Sequence, residues 1–236
     1  MTTLTRLEPI GAGIWSARAA QRFFGMEVGA RMTVCRLDDG GLVLISPIEH
    51  DAQLQGEIDA IGPIRALVSP CLLHHLYLGP WHEANPEASV YGPEGLSGKR
   101  PDLSLTATLG SSFDERFGDA LQRLPVEGMP KLNESLFFHR TSGTLVVTDF
   151  CLYLPESTGY TRLMATMLGI RARPHCDLVY KSMISDSAAF HASLTPLRSL
   201  PIERLSMCHH EIVTEGAQQV VSRILDALKV APPSAA

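Results

Sequence analysis

Ser69-Pro70-Cys71-Leu72-Leu73-His74-His75-Leu76-Tyr77-Leu78-Gly79-Pro80-Trp81 follows directly on the apolar segment Arg65-Ala66-Leu67-Val68. The segment reads as a strand, and the stretch after it as the loop at the strand's C-terminal end, where α/β proteins place their chemistry. Neighbouring side chains on a strand face opposite ways, so His74 and His75 reach one point only if the backbone turns at them. Histidine pairs on loops are common metal ligands; a histidine hydrogen-bonded to backbone is the plainer alternative.

Upstream of this loop, Met32 to Leu37, Asp38-Asp39-Gly40-Gly41 and Leu42-Val43-Leu44-Ile45 spell a hairpin, ended by Ser46-Pro47. Its second strand is uninterrupted apolar, as in a strand covered on both faces. Leu54, Ile58 and Ile61 fall at helical spacing and Gly62-Pro63 stops that helix, so a β-α-β unit leads into the histidine pair. Nearer the N-terminus, Ile14-Trp15 suggests a short strand and Ser16 to Phe24 a helical turn or two.

Downstream, His82 to Asn85 is a polar helical segment and Ala88 to Tyr91 another strand. Residues 94–130 carry weak strand signals near Leu105 to Leu109 and a helical pattern around Phe117 to Leu124. Leu136 to His139 and Thr144 to Asp149 form a second hairpin, ending on a carboxylate at the tip of an apolar strand. Residues 151–200 read as mostly helical, including Tyr160 to Leu168 (a packing helix, or a cover over the site) and a helix capped by Ser185 that runs to about Leu194. Leu205-Ser206-Met207 is a brief strand that finishes on His209-His210. Val220, Val221, Ile224, Leu225 and Leu228 form the apolar stripe of a terminal helix.

Three strands therefore end on His74-His75, Asp149 and His209-His210, and histidine and carboxylate at separate strand ends can meet at one metal ion. His139 is expected to stand exposed at its hairpin tip, about 16 Å along the strand from Asp149, too far to share an ion with it.

The composition is that of an ordinary globular chain, 45% apolar and 19% charged over 236 residues. A net charge of −5 with interspersed signs gives no footprint for nucleic acid or an anionic membrane. No window has the length of a membrane span, and no signal-peptide pattern opens the chain. The five cysteines, Cys35, Cys71, Cys151, Cys176 and Cys208, form no CxxC and read as reduced thiols of a cytoplasmic protein. Oligomeric state and substrate are not legible.

The order of these elements resembles the metallo-β-lactamase superfamily from about Ile14 to Leu228. Met32-Thr33-Val34, Arg36-Leu37, Leu44-Ile45-Ser46-Pro47, and His74-His75 with Trp81 are similar to an uncharacterised, largely bacterial branch of it, a domain-of-unknown-function family. The resemblance implies an α/β fold, an αββα sandwich of two mixed sheets with outer helices, as one domain over residues 1–236. Residues 151–200 would be a helical insertion and 231–236 a frayed tail. The superfamily's HxHxDH signature is degenerate here: Pro70 and Leu72 replace its first two histidines, His74 replaces the aspartate, and His75 matches. The first metal site is thus dismantled. The resemblance implies at most a mononuclear site, with His75, Asp149 and His209 as core ligands, His74 a fourth behind them, and one divalent metal, zinc before iron or manganese. Cys71 and Cys208 stand close enough in sequence to join or substitute, though small buried thiols beside strands are their plainer reading, and His210 is at most a supporting residue. Two functions follow: a metal-dependent hydrolase of an unknown small molecule, or a non-catalytic, metal-free descendant that binds a ligand or partner. Redox chemistry at a lone iron has the same ligands in its favour.

Overall fold

Every side chain of Leu42-Val43-Leu44-Ile45 is buried because the strand lies between two layers. Leu42 and Leu44 pack with Leu54, Ile58, Leu78 and Trp81 on the outer, helical side. Val43 and Ile45 face inward, against Phe137 and Val146 of a second sheet. The alternation of a strand thus distributes one apolar run over two cores. Leu136, Phe138, Leu145 and Val147 do the same from the other sheet, toward Phe190, Val221 and Leu225.

The computed structural model describes residues 7–209 and 211–232. In chain order the elements are β1 (Glu8–Gly11), β2 (Ile14–Ala19), β3 (Arg22–Phe23), β4 (Met26–Glu27), β5 (Ala30–Arg36), β6 (Leu42–Ile45), α1 (Ala52–Asp59), β7 (Ile64–Val68) and α2 (Leu78–Ala84). Then come β8 (Ser89–Gly92), α3 (Leu96–Lys99), β9 (Ala107–Thr108), α4 (Ser111–Phe117), β10 (Leu121–Pro125), β11 (Ser135–His139) and β12 (Thr144–Val147). The chain finishes with α5 (Gly159–Met167), α6 (Leu178–Ser182), α7 (Ser187–Leu194), β13 (Arg204–Met207), β14 (Ile212–Val213) and α8 (Ala217–Ala227).

One sheet runs β1-β2-β5-β6-β7-β8-β9, the other β10-β11-β12-β13-β14, and both mix parallel with antiparallel pairs. With α1 and α2 outside the first sheet and α7 and α8 outside the second, this is the expected αββα sandwich. Asp51 caps α1 through Gln53 and Leu54, and Asp186, one residue past the expected Ser185, caps α7. The stripe of α8 is buried as its periodicity requires. Among the described residues no helix is long and apolar enough to cross a membrane.

Two local expectations give way. Phe117 to Leu124 is not helical: α4 ends at Phe117, and Leu121–Pro125 pairs residue by residue with Ser135–His139. Five ladder pairs outweigh a weak helical pattern that happens to place apolar residues four and three apart. Ser16 to Phe24 does not turn into helix either, because β2 continues to Ala19 and a small β3-β4 hairpin follows. Phe24 and Gly25 both have positive φ there, as a two-residue type I′ turn demands.

Candidate metal centre

Asp149 and His209 are set side by side by register. Strands β12 and β13 run parallel with Val147 opposite Met207, and Cys208 N–H donates to Val147 O at 3.0 Å. Each residue stands two positions past that pair, so both leave the sheet at the same level. The other side is built by β6 and β7, also parallel, with Ile45 opposite Val68. Ser46 and the loop beginning at Ser69 leave those strands together.

The loop is held by its first residue. Ser69 Oγ lies 2.8 Å from Cys71 O and 3.0 Å from His74 O, and Leu72 N–H donates to Leu132 O. This fold-back turns the backbone at the histidine pair, and the two rings diverge. His74 enters the site, its Nε2 3.4 Å from Asp149 Oδ2. His75 leaves it, its Nδ1 3.0 Å from Arg100 Nη1. The expected order of the two is therefore reversed: His75, placed first among the ligands from the sequence, belongs to no close donor group among the described residues, and His74 belongs to two. Burial, then the charges of Lys99 and Arg100, hold the His75 pKa below its usual value.

Around His74 the donors are dense. Cys71 Sγ is 3.4 Å from Asp149 Oδ2, the oxygen His74 also meets. His209 Nε2 takes the other oxygen, Oδ1, at 3.6 Å, and the two imidazole rings are 5.3 Å apart. The outer nitrogens are committed elsewhere. His209 Nδ1 donates to Gly29 O at 2.7 Å, and His74 Nδ1 lies 2.8 Å from Ser46 Oγ. Cys71, His74 and Asp149 form one group whose ligand atoms lie within 4.8 Å of one another, and His74, Cys208 and His209 form another. His210 lies outside the described residues.

Asp149 is presented by Glu134, which the sequence reading passed over. Glu134 Oε1 accepts from Thr148 N at 2.9 Å, Thr148 Oγ1 at 2.7 Å, Asp149 N at 3.1 Å and Phe150 N at 3.3 Å. Its other oxygen is buried, and the buried Tyr180 hydroxyl faces the same carboxyl group. Burial first, and Asp149 second, raise the Glu134 carboxyl to about 7. Glu134 stands between Asn133 and Ser135, immediately before the strand Ser135–His139, a polar setting that gives no sign of a buried acid. Ser46 was read as a strand terminator; its φ of +54°, rare for a residue with a Cβ, turns its hydroxyl to His74.

Acids and bases in the site shift one another. Burial opposes charging His74 and His209, yet Cys208 and Asp149 raise both imidazoles above their usual value. Burial likewise pushes Asp149 up, but the two histidines hold it well below the carboxylate range. Burial pushes the Cys208 thiol up, and His74 and His209 draw it down to about 6. A thiolate, however, would face the Arg31 carbonyl oxygen at 3.2 Å, a position that suits an S–H donor. That contact favours a neutral Cys208 thiol. His139, by contrast, is fully buried rather than exposed, bonded to Ser142 Oγ and Arg36 O; it pairs with Thr144 at the far end of its hairpin from Asp149, as its spacing implied.

No family model matches the sequence, and no curated protein matches it. Solved structures do. The DIM-1 metallo-β-lactamase superimposes with a TM-score of 0.66 at 13% identity, covering 96% of this chain and 99% of that one. A metallo-β-lactamase from Pontibacter korlensis gives 0.62 at 11% identity over 96% and 100%, and the metallo-β-lactamase IND-7 gives 0.61 at 13% over 96% and 100%. Nearly complete coverage of both chains at such low identity is a likeness of architecture: the chain has the metallo-β-lactamase fold, the superfamily architecture that its strand-end residues resemble.

Proposed function

We propose that this chain binds one divalent ion at the strand-end cluster, through Cys71, His74 and Asp149, and uses it to hydrolyse a small-molecule substrate. The observation that carries the reading is that His74 Nε2 and Cys71 Sγ both stand 3.4 Å from one oxygen, Asp149 Oδ2. That is long for a nitrogen–oxygen hydrogen bond. With ion–ligand distances of about 2.0 Å for nitrogen and oxygen and 2.3 Å for sulfur, neighbouring ligands of a tetrahedral ion stand roughly 3.3–3.5 Å apart. A set of thiol, imidazole and carboxylate suits zinc better than magnesium or calcium.

Three protein donors leave a position for water, the arrangement of catalytic rather than structural zinc sites. A bound ion would polarise a substrate or lower the pKa of that water. The chain's own residues orient the donors. Ser46 against His74 Nδ1 turns Nε2 inward, the Gly29 carbonyl does the same for His209, and Glu134 fixes the Asp149 backbone. His209, 3.6 Å from the other oxygen of Asp149, would hold that carboxylate in place beside the donors. Pro70 and Leu72, where the superfamily signature has histidines, offer no donors, so the chemistry is that of one ion.

The test is metal content of protein purified without a metal affinity column, followed by cobalt substitution. One equivalent per chain, and a thiolate-to-cobalt band in the near ultraviolet that Cys71→Ser abolishes, is expected. Sub-stoichiometric metal under saturating zinc would overturn the reading and favour a metal-free, ligand-binding descendant of the fold.

A further inference from the structure

We infer that Cys151 and Cys176 are a dithiol that closes to a disulfide, tying the loop that carries Asp149 to the returning end of the helical excursion between them. Leu152 and His175 form an isolated antiparallel bridge and exchange both backbone hydrogen bonds, each 3.0 Å. The pair flanking such a bridge, here Cys151 and Cys176, is a non-hydrogen-bonded pair, whose Cα atoms stand about 4.5 Å apart. That lies within the span a disulfide bridges. Burial places the two on one face: both are buried in the cluster with Phe150 and Tyr180, while Leu152 and His175 between them are partly exposed. The other three thiols are placed differently. Cys35 lies in the layer between the sheets, and Cys71 and Cys208 stand against Asp149 and His74. All five are free thiols in the structure.

The excursion is a segment that profits from a tie. Besides the bridge, it is held by Leu154 N–H to Ile170 O and by Glu27 N–H to Thr161 Oγ1, and α5 leaves Tyr160, Leu163 and Met167 largely exposed. A small disulfide such as oxidised glutathione is the oxidant. One cysteine thiolate attacks it, forming a mixed disulfide and releasing one small thiol. The second cysteine thiolate then attacks the protein sulfur and releases the other, so two electrons pass from the protein to the small disulfide. Because both thiols are buried, exchange proceeds while the bridge is open, during folding or local unfolding.

The full chain is refolded in a glutathione redox buffer, free thiols are alkylated, and trypsin is added, with exposed Arg162 and partly exposed Arg171 as cleavage points inside the excursion. The expected result is a peptide pair joined through Cys151 and Cys176, fragments that part only on reduction, and cleavage within the excursion slowed about tenfold relative to the reduced chain. Cys176→Ser should lose the cross-link and Cys35→Ser should keep it. Alkylation of both cysteines in the refolded wild-type chain, or a cross-link from either of them to another cysteine, would overturn the proposal without bearing on metal binding.

Discussion

The two sheets deliver their residues to the site by different means. The second sheet uses register: β12 and β13 are parallel neighbours, so Asp149 and His209, each two residues past the Val147–Met207 pair, arrive together. The first sheet uses a loop whose course depends on Ser69 and on the chain folding back beneath His74. Register is a property of a whole ladder and resists single substitutions. A loop conformation rests on a few bonds, and its side-chain directions can change with one of them. The second sheet's contribution should therefore be breakable only through the buried group that supports its strand end, and the first sheet's through several smaller contacts.

Glu134→Ala should have the largest effect. It leaves the N–H groups of Thr148, Asp149 and Phe150 without their shared acceptor inside the core, a loss of about 3–5 kcal/mol in denaturant unfolding. Glu134→Gln retains an acceptor oxygen and should cost about 1 kcal/mol or less. The same pair reports on pH. The Glu134 carboxyl rises from 4.5 to about 7 on folding, so the folded state binds the proton more tightly. Its contribution is complete below pH 4.5 and declines as pH rises to about 7, by at most about 3 kcal/mol. Glu134→Gln should flatten that slope; an equal slope in both proteins would assign it to other groups.

Ser69→Ala removes the tie of the loop and should cost about 1–2 kcal/mol, together with roughly tenfold in zinc affinity, because it frees the backbone that aims His74. At Ser46 two variants separate orientation from strain. Ser46→Ala keeps the positive φ and loses the hydroxyl beside His74, and should weaken zinc binding about tenfold. Ser46→Gly should weaken it as much while gaining about 0.5–1 kcal/mol of stability, since glycine adopts that φ freely. Equal stability of the two variants would show that the backbone at Ser46 holds no strain.

How much of this was legible in the sequence follows the same division. Period-two burial and uninterrupted apolar runs announced β5, β6, β7, β11 and β12, because strands between two cores carry their environment in their composition. Asp149 and His209 were legible as residues at strand ends. Nothing in the sequence states that β12 and β13 are adjacent and parallel, yet that adjacency brings the two together. The sequence put His75 ahead of His74, the reverse of how they stand to Asp149, because their directions depend on Ser69 and Arg100, the latter 25 residues away from His75. Glu134 was missed for a related reason: its role comes from a turn 14 residues on in sequence, at Thr148, which no local pattern encodes. The helical reading of Phe117 to Leu124 failed where long-range pairing with β11 decided the outcome.

The divergence of the two adjacent histidines tests the account most directly, through zinc affinity by competition with a chromogenic chelator for His74→Ala and His75→Ala beside the wild-type chain. His74→Ala should lose about a hundredfold or more, and His75→Ala, whose ring faces Arg100, should stay within about threefold. A large loss in His75→Ala with His74→Ala unchanged would contradict the geometry on which the proposed site rests.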